Sequence, residues 1–360
     1  MNYIWEKIKN QPALKKKQII KSKVLGAIRE FFQKEGFMEI DTPCLVKFPD
    51  PSPFNEVFEF SSLNQERLYL TPSPEFFLKK FLVAGFKNVY QITKAYRDQQ
   101  ENDPLHLKEF TILEWYRDNA DYTDLMIDCE NLVSFIQERL QNIVKSSKCP
   151  LRPSFSEASK VKSCSSKLKI NYLGKKIDLT PPWMRISCKE AFKKYANVNL
   201  DEFLDIEKAR EICQQKGYQI NKNNSWEELY HQIFLNEVEP KLPKENPLIL
   251  YDYPSPLAAL SKIKESDSQY AERFEFYIGG LELGNGYSEL TDFQEQEKRL
   301  INDMKTRGER KMKVFDYDHD FVAALKEGMN KTTGIAVGID RLVMLFTDST
   351  DIHEVTPFAL

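Results

Sequence analysis

The sequence predicts an α+β fold built around a largely antiparallel sheet. Strand-like stretches follow one another without an intervening helix at VYQITKAYR and EFTILEWYR, and again at LILYDYPSPLAAL and FEFYIGGLELGNG. Long helical segments separate these groups. Groups of strands with helical inserts between them are typical of α+β proteins, whereas strict alternation indicates a parallel sheet. The 360 residues suffice for one large domain or two ordinary ones.

Composition and charge exclude several classes of protein. The net charge of -3 provides no general positive field for nucleic acid. No apolar run approaches the roughly 20 residues that span a bilayer. The N-terminal stretch MNYIWEKIKNQPALKKK lacks the apolar centre of a signal peptide. The six cysteines are scattered without a CxxC pair, which is typical of reduced thiols. We therefore expect a cytoplasmic protein with no membrane partner.

The N-terminal elements are read from apolar spacing and from helix breakers. Residues 15–35 have the spacing of an amphipathic helix, and Gly36 is placed to end it. FMEIDTPCL follows as an extended segment, because Pro43 forbids a helix there. Residues 49–56 form a loop. RLYLTPSPEFFLKKFLVAG then predicts a strand, a proline turn and a helix that stops at Gly85.

The middle of the chain alternates between strands and helical inserts. VYQITKAYR and EFTILEWYR form an antiparallel pair, because the segment between them, DQQENDPLHLK, is too polar for a core. Residues 121–143 form a helix. Residues 145–168 are rich in Ser, Lys and Pro and predict a flexible insertion. Residues 187–245 predict a peripheral helical subdomain. Near the C-terminus, TTGIAVGIDRLVMLF is a glycine-containing strand that runs into a helix.

Three carboxylates lie on strand-like segments. GLELGNGYSELTD places Glu282 and Glu289 on either side of an expected Gly-Asn-Gly turn, and Glu275 lies on the apolar run before it. Residues two apart in a strand share a face. Glu282 therefore shares its face with the glycines on either side, which leave open space. Buried acids are costly unless they meet a cation. One such glutamate is typical of a solvated edge, but three indicate a pocket for a metal, an amine or both.

Two further segments carry residues suited to phosphate chemistry. Arg97 ends a predicted strand, and an arginine at a strand–loop junction suits bidentate binding of phosphate or carboxylate. His106 can add positive charge at a polyphosphate, and Phe110 can stack on a base. Each of these residues alone also fits a structural role, as a surface ion pair, a loop residue or a core residue. In Gly334–Arg341, close-packed glycines let a ligand approach the backbone, and the arginine opens a helix.

Taken in order, these segments resemble the signature motifs of class II aminoacyl-tRNA synthetases. GFMEIDTP is similar to motif 1, YR…H…EFTILE to motif 2 and GIAVGIDR to motif 3. PEFFLKKFLVAGF, LELGNGYSELTD and GIAVGIDRLVMLF resemble the lysyl-tRNA synthetases, over roughly residues 18–346. The resemblance implies a single class II catalytic domain over residues 1–360 that uses ATP and Mg²⁺. It also implies a homodimer that pairs through residues 18–43 in an isologous interface.

A second set of segments resembles the lysyl-tRNA synthetase paralogues that modify elongation factor P. These segments are LEWYR, DYPSPLAAL, DLTPPWMR and Ala336 in GIAVGIDR, where true synthetases usually have glycine. Motif 1 begins within the first few dozen residues, so we expect no N-terminal anticodon-binding barrel. The Ala336 methyl would reshape the wall near the substrate's α-amino position, an effect worth about 1–3 kcal/mol.

This resemblance implies ATP-dependent activation of lysine or (R)-β-lysine. The acyl group would then pass to a lysine side chain of elongation factor P, and tRNA is not the expected acceptor. Two alternatives remain open. A truncated lysyl-tRNA synthetase would charge tRNA, and a weakened regulatory or binding paralogue would account for the altered motif 2 loop.

The resemblance also implies a role for each site residue. Arg97 would hold the α-phosphate and the substrate carboxylate, and Arg341 would clamp the γ-phosphate beside the adenine, which makes both catalytic. The remaining ATP contacts would be His106 on the distal phosphates and Phe110 on the adenine ring, with Mg²⁺ held by Glu275 and Glu282.

On the substrate side, the terminal ammonium would meet Glu75 and Glu289, and the other amine would meet Glu114. Asn285 would orient the carboxylate, and Tyr116 and Ala336 would complete the wall of the pocket.

The motif 2 loop departs from the usual pattern of this family. The chain has Arg97-Asp98-Gln99 where Arg-x-Glu is usual, and HLKEF where His-Asn-Pro-Glu-Phe is usual. We expect Gln99 or Glu101 to replace the glutamate usually assigned to the adenine amino group. Asp98 and Lys108 are expected to alter nucleotide affinity or the docking of the acceptor.

Overall fold

The computed structural model describes residues 3–53, 55–98, 103–146 and 168–359. The strands are β1 (Met38–Glu39), β2 (Leu45–Val46), β3 (Glu59–Ser61), β4 (Arg67–Leu70), β5 (Asn88–Tyr96), β6 (Glu109–Asp118), β7 (Lys169–Tyr172), β8 (Lys175–Asp178), β9 (Met184–Ser187), β10 (Leu248–Pro254), β11 (Tyr270–Ile278), β12 (Leu281–Ser288) and β13 (Thr332–Gly338). The helices are α1 (Ile4–Asn10), α2 (Pro12–Lys34), α3 (Glu75–Val83), α4 (Tyr122–Ser146), α5 (Cys188–Ala191), α6 (Leu200–Phe203), α7 (Ile206–Gln215), α8 (Trp226–Ile233), α9 (Phe293–Glu309), α10 (His319–Glu327) and α11 (Ile339–Thr347).

The main sheet has eight strands in the order β1-β5-β6-β13-β12-β11-β10-β9. The five inner pairings are antiparallel, and the two outermost, β1 with β5 and β9 with β10, are parallel. The prediction of an α+β fold with a largely antiparallel sheet is confirmed. The predicted pairing of VYQITKAYR with EFTILEWYR is also confirmed, as β5 and β6.

Helices α2, α4 and α11 pack together over one face of this sheet. Their apolar side chains, such as Phe32 of α2, form one core with the sheet residues that point toward them, such as Trp115 of β6 and Ile335 of β13. The predicted amphipathic helix over residues 15–35 is confirmed as α2, which begins earlier, with Pro12 in its first turn. It ends just before Gly36, whose φ of 75° is left-handed.

The helical segment between β9 and β10 has an apolar core of its own. Phe192, Tyr230 and Phe234 stack on one another inside α5–α8 and the π-helical turns that follow α5 and α8. This core also includes residues of β9, β10 and β11. The helices α5–α8 all lie within residues 187–245, and the proposed peripheral subdomain there stays a prediction.

The expected Gly-Asn-Gly turn was wrong. Gly284 and Gly286 lie within β12, and the turn between β11 and β12 falls at Gly279 and Gly280, with φ values of 67° and 87°. A Cβ atom on Gly284 would lie 2.6 Å from the Phe276 ring, so this position is close-packed and offers no open space. These glycines therefore mark close packing of a strand on the core, which is a common use of glycine inside a sheet.

Several predictions fall outside what the structure describes. Residues 147–167, most of the predicted insertion at 145–168, are outside the described residues, as is Gln99. The proposed dimer interface at residues 18–43 stays a prediction. Across the described parts of the chain, no helix has both the length and the apolar character needed to cross a bilayer.

Asp340 links the N-terminal helix to the centre of the sheet. Its carboxylate accepts a hydrogen bond from Lys21 Nζ in α2 (2.6 Å) and one from the Thr111 backbone N–H in β6 (2.7 Å), and the residue is only 1% exposed. Replacing Asp340 by alanine removes this partner of the Thr111 N–H and breaks the buried ion pair of Lys21, which keeps only the Val355 carbonyl oxygen (3.3 Å). We expect the free energy of unfolding to fall by about 3–5 kcal/mol in urea titrations.

Asp316→Ala provides the matched control for this substitution. The Asp316 carboxylate pairs with the His319 ring (2.9 Å), and both side chains are more than half exposed. An exposed pair of this kind contributes little to stability. Equal urea midpoints for the two variants would contradict the role given to Asp340.

Candidate active site

A cavity of about 1330 Å³ covers the face of the sheet opposite the helix layer. Glu114, Ala336, Asn285 and Glu275 pair directly across four neighbouring strands, β6, β13, β12 and β11, and all four line the cavity. Residues paired across strands have Cβ atoms about 4.5–5.5 Å apart. Three segments that are distant in the chain therefore form one continuous row of side chains.

A second row lies two residues further along the same strands. It consists of Tyr116, Gly334, Tyr287 and Arg273. A Cβ atom on Gly334 would lie 2.3 Å from the Tyr116 ring and 2.5 Å from Glu289 Oε1. A side chain at this position would collide with both groups, so the glycine lets the Tyr116 ring and Glu289 pack closely against β13. Glu289 Oε1 therefore lies directly beside the Gly334 backbone, beneath the cavity floor.

One end of the cavity is acidic and buried. Glu75 begins α3, and Lys79, one turn later, reaches both Glu75 Oε1 and Glu289 Oε2 at 2.5 Å. The Tyr287 hydroxyl also donates to Glu75 Oε1 (2.7 Å). Burial raises the pKa of Glu289, and the adjacent Lys79 ammonium opposes that rise. This end of the site already holds an ammonium group between two carboxylates.

Glu114 is the third carboxylate of this acidic end. It is 1% exposed and accepts hydrogen bonds from the Ser73 hydroxyl (2.6 Å) and the Tyr116 hydroxyl (3.0 Å). Burial, followed by the negative charge of Glu75, raises the pKa of Glu114 to about 8. Such a carboxyl becomes fully charged at neutral pH only when a cation approaches it.

The other end of the cavity carries two arginines. Arg97 is buried with its guanidinium 5.2 Å from the Phe110 ring centre, and its Nε has no hydrogen-bond partner among the described residues. Burial lowers the pKa of Arg97, although Glu282 and Glu114 oppose that effect. An incompletely paired buried cation of this kind is well placed for an anion.

Arg341 and His106 form a connected pair beside Arg97. Arg341 donates to the carbonyl oxygens of Leu105 (3.2 Å) and Glu282 (3.0 Å), and it contacts His106 Nε2. The other ring nitrogen of His106 contacts Asp103 (2.6 Å). Arg341 therefore joins the loop between β5 and β6 to the start of β12, at the mouth of the arginine-lined end.

Glu275 and Glu282 have the chemistry of a magnesium site. Arg273 holds one oxygen of Glu275 (2.9 Å), and the Tyr277 hydroxyl holds the other (2.5 Å), whereas the Glu282 side chain is 41% exposed. Partial burial and the charge of Glu275 raise the pKa of Glu282, and Arg341, whose guanidinium lies 3.6 Å from the Glu282 carboxylate, opposes that rise. Within the described residues no cluster of three or more metal-binding side chains exists. Mg²⁺ would fit here with nucleotide phosphates completing its ligands.

Most predicted site residues lie together on this cavity wall. They are Glu75, Arg97, His106, Phe110, Glu114, Tyr116, Glu275, Glu282, Asn285, Ala336 and Arg341. Glu289 lies behind the wall, with its Oε1 beside Gly334. Gln99 and Glu101 belong to the motif 2 loop and fall outside the described residues. Asp98 and Lys108, which are expected to alter nucleotide affinity or acceptor docking, pair with each other at 2.7 Å at the base of that loop.

Four residues of the site were not predicted from the sequence. They are Ser73, Lys79, Arg273 and Tyr287, each hydrogen-bonded or ion-paired to a predicted residue. Two of them carried a readable signal. Lys79 lies four residues after Glu75, a spacing that brings side chains together on a helix. Arg273 lies two residues before Glu275 and so shares its face of the strand.

Gly334→Ala tests whether the close packing of Tyr116 and Glu289 against Gly334 is needed. The new methyl group would collide with the Tyr116 ring and Glu289 Oε1, and overpacking of this kind costs about 1–3 kcal/mol. We expect lower thermal stability and weaker binding of any ligand that reaches the acidic end. Gly26→Ala is the control, because no atom lies within 4 Å of its new methyl group and the helix should gain stability. Unchanged ligand binding by Gly334→Ala would contradict the assignment.

Comparison with known proteins agrees with this arrangement. The family model described as tRNA synthetases class II (D, K and N) matches residues 1–360. A lysine--tRNA ligase of Pelotomaculum thermopropionicum is 33% identical over 351 residues, which cover 97% of this chain and 64% of that protein. One from Pectobacterium carotovorum is 32% identical, covering 94% of this chain and 62% of that protein. A lysine--tRNA ligase of Campylobacter jejuni is 34% identical over a stretch that covers 96% of this chain and 64% of that protein.

This chain spans less than two thirds of the length of these curated relatives. Its match to the family model nevertheless runs from the first residue to the last. The matched region includes both rows of side chains on the cavity wall, the two arginines Arg97 and Arg341, and strand β13. The chain therefore belongs to the class II tRNA synthetase family of the D, K and N type.

Proposed function

We propose that this chain uses ATP to activate lysine or (R)-β-lysine as an aminoacyl-adenylate and transfers the acyl group to a lysine side chain of elongation factor P. One observation carries the activation step. The row of Glu114, Ala336, Asn285 and Glu275 lies between an acidic pocket, which borders Tyr116 and Gly334, and an arginine-lined pocket, which borders Phe110 and Gly338. An amino acid with two amines and ATP would meet along this row.

The amino acid would lie with its terminal ammonium toward Glu75 and Glu289. Its second amine would bind Glu114, and its carboxylate would reach Asn285 and Arg97. Buried carboxylates and a buried dication are each unfavourable alone and compensate each other when they meet. This arrangement accounts for an acidic end whose carboxyl pKa values are raised by burial in the empty site.

Adenylate formation requires positioning and charge stabilisation. A carboxylate oxygen of the amino acid attacks the α-phosphorus, the bond from that phosphorus to its bridging oxygen breaks, and pyrophosphate leaves. Arg97 would stabilise the charge on the α-phosphate, and Arg341 with His106 would hold the distal phosphates. Mg²⁺, held by Glu275 and Glu282, would neutralise phosphate charge when bound. No general base is needed, because the attacking group is already an anion.

The transfer step would form an amide. The uncharged amine of the acceptor lysine attacks the carbonyl carbon, the carbon–oxygen bond to AMP breaks, and the amine releases a proton. The net charge of -3 offers no positive field for a polyanionic acceptor. Ala336 lies in the row between Glu114 and Asn285, where its methyl group can bias the choice between α- and β-amino acids. The net charge thus supports a protein acceptor, and the Ala336 methyl group supports a β-amino acid as the substrate.

A second candidate function is the charging of tRNA. It is favoured by the names of the relatives, which are lysine--tRNA ligases. The two candidates share the activation step and differ in the acceptor. Labelled lysine and labelled β-lysine should therefore be offered, in parallel, with tRNA and with elongation factor P. Our proposal predicts stable label on the protein, and label on tRNA alone would overturn it.

The raised pKa of Glu114 predicts how lysine use depends on pH. In the empty site, this carboxyl with a pKa of about 8 holds a proton at neutral pH, and an arriving ammonium must displace it. The substrate amine that would face Glu114 must itself stay charged, and the free carboxylate beside it holds its pKa above the value of about 7.7–8.0 for a peptide α-amine. The KM for lysine should therefore fall as pH rises from about 6.5 to 8.5, by about tenfold. Steady-state pyrophosphate exchange measures this, and a KM that rises with pH would contradict it.

A further inference from the structure

Lys79 is a buried cation inside the acidic end of the site. Its side chain is fully buried, and its Nζ lies 2.5 Å from Glu75 Oε1 and 2.5 Å from Glu289 Oε2. The rings of Tyr287 and Phe321 lie 5.7 Å and 5.9 Å from the same nitrogen. A substrate ammonium therefore enters a pocket whose carboxylates already have a partner.

The ion pairs of Lys79 decide which carboxylate oxygens remain for a ligand. Lys79 and the Tyr287 hydroxyl both engage Glu75 Oε1, and Lys79 alone approaches Glu289 Oε2. Both carboxylate oxygens of Glu289 are buried without a hydrogen-bond partner among the described residues, although Lys79 Nζ lies 2.5 Å from Oε2, and Oε1 lies beside Gly334. A buried acceptor without a donor is unfavourable. An N–H group of a ligand that reaches Oε1 would satisfy it.

Lys79 also sets the charge of the pocket. With all groups ionised, the three carboxylates of Glu75, Glu114 and Glu289 and the ammonium of Lys79 leave a net charge of -2. A lysine-like substrate brings two ammonium groups, and Arg97 lies at the other end for its carboxylate. Without Lys79, one buried negative charge would remain unmatched after the substrate binds, which is strongly unfavourable.

We infer that Lys79 is a positioning and specificity-determining residue of the amine pocket. It clamps Glu75 and Glu289 by one oxygen each, leaves the other oxygen of each for the substrate, and sets a charge that a ligand with two ammonium groups neutralises. This inference rests on the proposed activation of a lysine-like substrate. It adds a residue that touches no substrate and acts only through the two glutamates.

A purely structural role for Lys79 makes a different prediction. An ion pair that only stabilises the start of α3 would cause the same loss in any background when it is removed. A residue that balances the charge of Glu289 must instead change its effect when Glu289 becomes neutral. In Glu289→Gln, the carboxylates of Glu75 and Glu114 and the ammonium of Lys79 give the pocket a net charge of -1. Removing Lys79 from this variant restores the wild-type net charge of -2.

The test compares Lys79→Met, Glu289→Gln and the double variant by lysine-dependent ATP–pyrophosphate exchange. Methionine matches the length of lysine and carries no charge. We expect Lys79→Met to raise the KM for lysine by about 30-fold, with the KM for ATP unchanged. In the Glu289→Gln background, we expect the same substitution to leave kcat/KM for lysine no lower than in Glu289→Gln itself. Melting temperatures of all variants confirm that they are folded.

Each outcome decides the inference. An equal loss from Lys79→Met in both backgrounds would overturn it, as would an unchanged KM for lysine in the single variant. If Lys79→Met does not fold, the comparison of Glu289→Gln with the double variant still decides, since the double variant loses both charges of the Lys79–Glu289 pair and keeps the Tyr287 hydroxyl on Glu75. A wild-type chain that shows no exchange with lysine or β-lysine overturns the proposed function itself, and this inference with it.

Discussion

Replacing Arg97 by alanine is expected to lower the rate of lysine-dependent ATP–pyrophosphate exchange about a thousandfold or more. Arg97 is a partly buried cation of the cavity wall, and the carboxylates of Glu282 and Glu114 both act on its charge. An arginine aimed at a transferring phosphoryl group stabilises charge that develops only in the transition state. The loss should therefore appear in kcat more than in the KM for lysine.

Arg139→Ala is the matched control for this prediction. Arg139 pairs with Glu30 (2.7 Å) and lies over the Phe135 ring, on the helix-covered side of the sheet. Its replacement should leave exchange within about twofold of wild type. Arg97→Ala itself should remain folded, because Arg97 Nε has no partner to lose among the described residues. Exchange by Arg97→Ala within tenfold of wild type would contradict its catalytic role.

Replacing Glu289 should remove the use of lysine while leaving ATP binding intact. Glu289→Gln keeps the shape of the side chain but removes the charge facing the substrate ammonium. Breaking a buried charge pair costs about 3–5 kcal/mol, so kcat/KM for lysine should fall about 100- to 1000-fold. Glu289→Ala also removes the oxygen behind Gly334, and we expect its exchange to be undetectable.

Glu297→Gln is the control for the Glu289 variants. Glu297 lies on α9 and accepts a hydrogen bond from the Tyr317 hydroxyl (2.6 Å), outside the cavity wall. The KM of the Glu297→Gln variant for lysine should match the wild-type value. Robust lysine-dependent exchange by Glu289→Ala, with an unchanged KM for lysine, would show that the acidic end is not the lysine pocket.

The elements that carry the site were predictable from local patterns. Apolar spacing bounded by polar or glycine residues predicts three of the strands. They are the strand that ends just before Arg97, the strand that holds Glu114, and the strand that runs through Gly334 into the helix of Arg341. Such patterns identify an element and the face that it buries.

The register that joins these elements was not predictable in the same way. Glu114, Ala336 and Asn285 are adjacent because β6, β13 and β12 pair in one register, and a shift of one residue would point each side chain to the opposite face. The β11–β12 pairing also contains an irregularity near Phe276, which breaks the simple alternation that placed Glu282 beside open glycines.

Lys79 shows a second limit of reading one sequence. Its pairing with Glu75 is a local helix contact, but its pairing with Glu289 depends on the tertiary structure that brings α3 beside the residue following β12. The charge of the amine pocket is therefore a tertiary property. Ionisable groups in such a pocket take pKa values that depend on burial, and burial is known only once the fold is known.

The most direct test of this account is ATP–pyrophosphate exchange by the unaltered chain with a small panel of amino acids. Lysine and (R)-β-lysine carry two amines, whereas norleucine has the length of lysine and only one. The account predicts Mg²⁺-dependent exchange with at least one of the two diamino acids and none above background with norleucine. Exchange with norleucine equal to that with lysine, or no exchange with any of the three, would contradict a pocket built for two ammonium groups.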